Sequence, residues 1–165
     1  MIEVVSKRSF DRVIVEKLFR PLGMKTATFY NETGGAVNPS GGAVCSANDY
    51  LNFMQMILNR GMFMGKRILS ENAIQEMMKN HTQDIRVRFT PEQGKGLNYS
   101  LGSWILEEEN GEGIVFAAPG AFGTWPWVDT KRKYVGIIFA KSLSGDQKRD
   151  IYFRMKEITD NAIDQ

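Results

Sequence analysis

The residues with the greatest capacity for chemistry lie in one run, residues 118–129, between two apolar segments that we predict to be strands. Two glycines in this run, Gly120 and Gly123, mark either a bulge or bend in the backbone or a place where a ligand lies close to it. Trp125 and Trp127 are two residues apart, so an extended backbone puts both rings on one face. Those rings either wall a ligand cleft or pack in a core, and the residues alone leave both interpretations open.

Other catalytic patterns are absent from the sequence or have simpler explanations. No Gly-x-Ser-x-Gly nucleophile motif occurs. Residues 61–67 are one residue short of a phosphate-binding loop and lack a Ser or Thr after the lysine, so we interpret them as a turn after a helix. Residues 107–109 are adjacent glutamates beside a predicted hairpin turn, where carboxylates are usually solvated. A histidine can serve as a catalytic base, but His81 has no nucleophile motif around it.

The amino-acid composition argues against several kinds of ligand and partner. The chain has 165 residues, 42% of them hydrophobic, enough to bury a core without disulfides or metals. The formal net charge is +2, and the basic residues are interspersed with acidic ones. The sequence therefore has no basic stripe, which argues against a nucleic-acid partner. One cysteine, Cys45, and one histidine are too few for a usual zinc site, so we expect no metal and no cofactor. No apolar run has the length of a signal-peptide core or a membrane span.

The first half of the sequence is predicted to be helical. Ser9 is a candidate N-cap for a helix that ends at Pro21-Leu22-Gly23. Ser46 opens a capping box, and the apolar stripe that follows it continues to Gly61. Ser70 is a third candidate N-cap, and the short helix after it has three residues that we expect to face inward: Ile74, Met77 and Met78.

From Tyr99 the hydrophobic period changes from helical to alternating. Three strands are predicted over residues 100–107, 113–118 and 133–142, and a turn at Asn110-Gly111 joins the first two. A final helix, starting near residues 144–146, is expected to cover one side of this sheet with its apolar face: Ile151, Met155, Ile158 and Ala162. The pattern predicts one α+β domain over residues 1–165, mainly helical over 1–98, with an antiparallel sheet and closing helix over 99–165.

Three runs resemble motifs of the serine β-lactamase and penicillin-binding-protein family, which includes esterases. Residues 19–29 (FRPLGMKTATF) resemble the family's helix end and following loop, where Pro-Leu-Gly-Met is usual. Residues 38–46 (NPSGGAVCS) resemble the Gly-Gly loop that leads into the next long helix, and residues 119–124 (PGAFGT) resemble the family's GxxG strand. The order of the elements is similar to the C-terminal half of this fold. The resemblance therefore implies a β-lactamase/transpeptidase-like fold whose N-terminal part is missing.

The resemblance also implies roles for residues around Gly120. The family's active-site strand carries Lys-Thr-Gly or His-x-Gly, and the matching triplet here, Ala118-Pro119-Gly120, has no basic residue. The backbone N–H of Ala121 would be one of the two oxyanion-hole donors, each worth about 2.7–4 kcal/mol of the reaction barrier. The resemblance places four residues against the substrate: Ala118, Pro119, Gly120 and Trp125.

The family's nucleophile is not found in the sequence. Its chemistry needs a Ser-x-x-Lys and a Tyr-x-Asn that relays the proton. No serine has a lysine three residues on, and the single Tyr-x-Asn, Tyr50-Leu51-Asn52, lies in the apolar stripe of a predicted helix, where we interpret it as core. We therefore expect the C-terminal portion of a β-lactamase-related serine hydrolase, acting on a β-lactam, a D-Ala-D-Ala peptide or an ester, and inactive by itself.

A noncatalytic interpretation stays open beside this one. A ligand-binding or protein-interaction domain could retain the fold, and the loss of the basic residue at Ala118 is compatible with it. The complete enzyme would take a small-molecule or peptide substrate, and the absence of its N-terminal part would leave apolar surface that a homo-oligomer could cover. By resemblance, the complete protein would act in the periplasm or cell envelope.

Overall fold

Helices and short hairpins make up the first part of the chain, and a larger sheet makes up the second. The computed structural model describes residues 1–29, 35–140 and 149–165, which form two units, Met1–Ser70 and Glu71–Gln165. Each unit combines helices with antiparallel strands, so the predicted α+β class is confirmed. None of the helices within these ranges is long and apolar enough to cross a membrane.

The first unit opens with two short helices, α1 (Ile2–Ser6) and α2 (Phe10–Ile14), and α2 continues as a π-helical turn over Val15–Phe19. Ser9 precedes α2 in an extended conformation, as an N-cap does, although its side chain accepts no capping hydrogen bond. Gly23 ends this segment with a φ of +65°, a left-handed conformation that glycine adopts without strain. The predicted end of the helix is therefore confirmed.

Helix α3 (Ala47–Leu58) begins as its capping box predicts, because the N–H of Asp49 donates to Ser46 Oγ at 3.2 Å. The Asp49 carboxylate in turn accepts hydrogen bonds at Oδ2 from the N–H and the hydroxyl of Thr26, at 2.7 and 2.5 Å. These bonds from Thr26 lower the pKa of Asp49. Asp49 thus ties the loop that follows α2 to the first turn of α3.

Two small antiparallel pairs complete the first unit. β1 (Thr28–Phe29) pairs with β2 (Ala43–Val44), and β3 (Met62–Phe63) pairs with β4 (Lys66–Arg67). The turn predicted over residues 61–67 is therefore a hairpin. Its two central residues, Met64 and Gly65, both have positive φ, as a tight hairpin turn requires.

The second unit contains α4 (Glu71–Met78), a 3₁₀ turn (Glu92–Gly94) and an antiparallel meander of five strands among the described residues. In chain order the strands are β5 (Asn98–Tyr99), β6 (Trp104–Glu109), β7 (Glu112–Ala117), β8 (Trp125–Asp129) and β9 (Tyr134–Ile138). The three predicted strands correspond to β6, β7 and β9, so the sheet has two strands more than expected. Residues 141–142, the end of the third predicted strand, lie outside the described residues.

The hairpin between β6 and β7 forms where the sequence predicts it. Asn110 and Gly111 have φ values of +53° and +80°, and Glu109 pairs with Glu112 across the turn. Two consecutive positive φ values are the signature of the type I′ turn, which Asn-Gly favours because its twist matches that of the strands.

Helix α5 (Arg149–Ile163) packs on the sheet with a different face from the one predicted. Ile151, Met155 and Ile158 are 48%, 45% and 60% exposed, so the expectation that they cover the sheet is wrong, and Ala162 is exposed as well. The face toward the sheet carries two aromatic residues and two charged ones instead: Tyr152, Phe153, Lys156 and Asp160. The predicted start of this helix, residues 144–146, lies outside the described residues.

Candidate functional site

The candidate site is the loop over residues 118–124, which joins β7 to β8. Residues 119–124, which resemble the family's GxxG strand, are not a strand in the structure: they form a tight turn, and β8 begins at Trp125. The N–H of Gly120 donates to Thr124 O at 2.8 Å, and the N–H of Gly123 donates to Gly120 O at 3.1 Å. Gly123 has a φ of +88°. The interpretation of these glycines as a bend is confirmed, because hydrogen bonds close the turn across them.

Ala121 and Phe122 lie at the tip of this loop and are exposed. The neighbouring N–H groups are occupied, since Ala118 donates to Pro126 O at 3.3 Å and Gly120 donates to Thr124 O. The N–H of Ala121 donates to no acceptor within the described part of the chain. A backbone donor held in a closed turn and left without a protein acceptor can bind an oxygen of a ligand.

Neither a left-handed backbone conformation nor close packing requires a glycine at position 120. Its φ is not in the left-handed region, and a Cβ built on it would lie 3.7 Å from Thr124 Cβ and 3.8 Å from Thr124 O, which are ordinary contacts. An alanine would fit in this structure. A glycine at this position therefore leaves the backbone more accessible than a residue with a side chain would.

Helix α5 holds this loop in place. The hydroxyl of Tyr152 donates to Gly123 O at 3.1 Å, and its ring stacks on Trp125 with centroids 4.8 Å apart. Trp125 and Trp127 are only 1% and 6% exposed, so the packing interpretation fits both rings. Trp125 therefore packs against the residue that bonds the loop, and its contact with a substrate stays a prediction.

A buried charge cluster fixes α5 to the same sheet. Lys156 Nζ lies 2.6 Å from Asp160 Oδ2, 3.2 Å from Glu107 Oε1 and 3.3 Å from Asp129 Oδ2. Oxygen atoms of these three carboxylates lie within 4.8 Å of one another, a spacing that could suit a metal ion, but the ammonium group already bonds all three. Burial disfavours the charged lysine, yet the hydrogen bonds to Asp160 and Glu107 outweigh burial and raise the pKa of Lys156.

Two further residues complete this cluster. Arg132 donates to Asp129 Oδ2 and to Asp164 Oδ2, each at 3.0 Å. The hydroxyl of Tyr134 donates to Asp160 Oδ1 at 2.5 Å, and burial together with this bond raises the pKa of Tyr134. The cluster was not predicted from the sequence, because its members come from β6, β8, the turn after β8, β9, α5 and the residue after α5. Only the spacing of Lys156 and Asp160, one helical turn apart, could have signalled it.

The Tyr-x-Asn in α3 has a structural role. Asn52 Nδ2 donates to Leu22 O at 3.0 Å, and the Tyr50 ring stacks on Phe53 with centroids 6.0 Å apart. Burial, with a smaller effect of Cys45, raises the pKa of Tyr50 to about 12. A phenol that gives up its proton so reluctantly is poorly matched to proton relay near neutral pH. These contacts support the interpretation of the motif as core.

Comparison with known proteins gives concordant results. A family model described as Beta-lactamase matches residues 1–158. A protein of Mycobacterium tuberculosis, Protein Rv1367c, is 35% identical over 100 residues, which cover 53% of this chain and 25% of that protein. A solved structure from Bacteroides dorei DSM 17855 superposes with a TM-score of 0.82 at 23% identity, covering 99% of this chain and 54% of that one.

A solved beta-lactamase from Mycobacterium bovis (Mb2281c) is also similar, with a TM-score of 0.78 at 18% identity. The match covers 98% of this chain and 59% of that one. At these identities the superpositions show the fold. The chain thus spans a quarter of the curated relative that it matches and somewhat more than half of each of these two solved structures.

Proposed function

Since this chain belongs to the beta-lactamase family, we propose that it forms the oxyanion side of the active site of a serine acyl hydrolase. The observation that carries this proposal concerns Ala121, an exposed residue at the tip of a hydrogen-bonded turn, whose N–H has no acceptor among the described residues. In acyl transfer, negative charge develops on the carbonyl oxygen that is attacked. A donor fixed in advance stabilises that charge by about 2.7–4 kcal/mol.

The loop around this donor would hold the substrate. Ala118, Pro119 and Gly120 would form the backbone edge along which an acyl group lies, and the absence of a Cβ at Gly120 leaves room for it. Tyr152 would act through the loop, since its hydroxyl holds Gly123 O. The substrate would be a β-lactam, a D-Ala-D-Ala peptide or an ester, and Ala118 supplies no cation where the family's motif has one.

This chain would be catalytically silent by itself. Its sequence contains no Ser-x-x-Lys, and its one Tyr-x-Asn is engaged in packing α3. The nucleophile and its base would come from the part of the family's domain that this chain does not contain. We regard the chain as the C-terminal portion of such an enzyme.

Binding of substrate to the loop can be tested apart from turnover. Titrating the ¹⁵N-labelled chain with benzylpenicillin should shift the backbone amide signals of Gly120 and Ala121. The matched control is Gly111, at the tip of the β6–β7 hairpin of the same sheet, whose amide signal should not move. Shifts at Gly111 equal to those at Ala121, or no shift at Ala121, would contradict the proposed site.

A noncatalytic ligand-binding or interaction domain is the second candidate, and the absence of Ser-x-x-Lys from this sequence favours it. The two candidates differ in what the gene encodes. A Ser-x-x-Lys in the same reading frame ahead of Met1 supports the hydrolase, whereas a gene that encodes none supports the binding domain.

A further inference from the structure

The turn that carries Ala121 is bonded to helix α5 at its exit. The N–H of Gly123 donates to Gly120 O at 3.1 Å, which closes the turn. Ala121 and Phe122 are therefore its two central residues. A bond within the turn fixes its shape but not its direction relative to the sheet. The hydroxyl of Tyr152 donates to Gly123 O at 3.1 Å and so connects the turn to α5.

The ring and the hydroxyl of Tyr152 have separate contacts. The ring stacks on Trp125, with centroids 4.8 Å apart and an angle of 14° between the planes. A phenylalanine would stack in the same way, so the packing of α5 on the sheet does not require the hydroxyl. The hydroxyl lies beside Gly123, where a Cβ would be 3.4 Å from it, and it bonds the carbonyl of that residue. The ring thus contacts the sheet, and the hydroxyl contacts the loop.

The first turn of α5 is itself fixed, so Tyr152 donates from a position that is already held. Arg149 Nη1 donates to Lys95 O at 2.8 Å, and its guanidinium lies 4.9 Å from the centre of the Phe153 ring. Phe153 in turn meets Trp125 edge to face, with centroids 5.7 Å apart. A side chain on a rigid element positions its partner more precisely than one on a loop does.

We propose that Tyr152 is a positioning residue for the oxyanion donor: its hydroxyl, acting through Gly123 O, fixes the direction of the Ala121 N–H. This inference rests on the proposed function, which assigns that N–H to the oxyanion. A displacement of about 1 Å at a reacting centre can cost about a hundredfold in rate. The bond from Tyr152 holds the turn in one position before a ligand arrives, so the ligand does not have to order it.

Order parameters from ¹⁵N relaxation of the free chain test the positioning directly. Tyr152→Phe keeps the ring and removes the hydroxyl, so the order parameters of Ala121 and Phe122 should fall from about 0.85 toward about 0.6 or below, the range of flexible backbone. The matched control is Tyr134→Phe, which removes a hydroxyl that donates to Asp160, about two turns further along the same helix. It should leave the loop unchanged. Circular dichroism establishes that both variants are folded. Unchanged order parameters in Tyr152→Phe, or an equal fall in both variants, would overturn the proposal.

Titration with benzylpenicillin, followed by the amide signal of Ala121, tests the consequence for binding. Tyr152→Phe should raise the dissociation constant about three- to tenfold, because the ligand must then order the turn. Tyr134→Phe should leave the dissociation constant unchanged. An affinity of Tyr152→Phe equal to that of the wild-type chain would contradict the positioning role. Absence of binding by the wild-type chain would instead overturn the proposed function, and the order parameters of the free chain would still decide whether Tyr152 fixes the turn.

Discussion

Gly120 and Gly136 are both glycines of the second unit, but the structure gives different reasons for them. At Gly136 a Cβ would lie 2.0 Å from Trp127 Cζ2, so glycine is needed for the indole ring to lie across β9. At Gly120 the nearest atoms are those of Thr124, at ordinary contact distance. Packing therefore does not explain the glycine at position 120; under the proposed function, the missing side chain would leave room for a substrate.

Two alanine substitutions distinguish a glycine that packing requires from one that packing does not require. Gly120→Ala should change the free energy of unfolding by no more than about 0.5 kcal/mol, because the methyl group meets no close atom. Gly136→Ala should destabilise the chain by about 1–3 kcal/mol, because the buried Trp127 ring must move. Urea denaturation followed by circular dichroism measures both. A comparable loss from Gly120→Ala would mean that packing explains Gly120 after all.

Lys156 is the residue on which the buried charge cluster depends. Lys156→Met removes the ammonium and leaves the carboxylates of Asp129 and Asp160 close together with fewer partners. Breaking such a buried pair costs about 3–5 kcal/mol, and we expect a loss in that range from urea denaturation at neutral pH. The control is Lys131→Met, which removes an exposed ion pair with Glu109 and should cost less than about 1 kcal/mol. Equal losses would show that the cluster does not anchor α5.

At the scale of elements, the sequence predicts those whose signals are local. Asn110-Gly111 predicts its hairpin, and Ser46 predicts the start of α3, because turn type and helix capping depend on a few adjacent residues. Hydrophobic periodicity does not predict β8, because all five of its residues are buried and its hydrophobicity does not alternate. Pro126 also interrupts the run of residues that favour a strand.

The orientation of α5 shows where sequence periodicity fails. The apolar stripe of α5 predicts the buried face of the helix more strongly than any other local pattern. The sheet, however, presents the ring of Trp125 and the carboxylate of Asp129 to α5. Tyr152 stacks on the ring of Trp125, and Lys156 donates a hydrogen bond to the carboxylate of Asp129. Burying the stripe instead would have left Asp129, which is 0% exposed, with Arg132 as a partner but without the buried ammonium of Lys156. The side chains of the sheet therefore determine which face of α5 is buried.

Asp49 should make the first unit sensitive to acid. Its pKa in the folded chain is lowered from 3.8, so its contribution to stability is complete above that value and is lost as the pH falls through the lower folded-state pKa. Asp49→Asn should destabilise the chain at neutral pH and flatten the dependence of stability on pH below about 4. Melting temperatures measured across the acid range test this, with Asp11→Asn as control. An unchanged acid dependence in Asp49→Asn would rule out this role.

For the whole molecule, the sequence predicts where the candidate site lies, and that location stays a prediction; the contacts around the loop were not predicted. The resemblance of residues 119–124 indicated where a substrate would lie. The residues that hold this loop, Tyr152 and Ala140, are remote in sequence, so no motif could include them. The family match over residues 1–158 shows the family, and the solved relatives, about half of whose length the chain covers, show the fold.

The central claim is that this chain belongs to a family of serine hydrolases but carries no activated nucleophile of its own. Intact-mass measurement after incubation with a fluorophosphonate tests it most directly, because that reagent phosphonylates activated serines, and a known serine hydrolase run in parallel verifies the reagent. The account predicts an unchanged mass for this chain. A stoichiometric adduct on any serine would contradict it and would mean that the chain itself contains a catalytic centre.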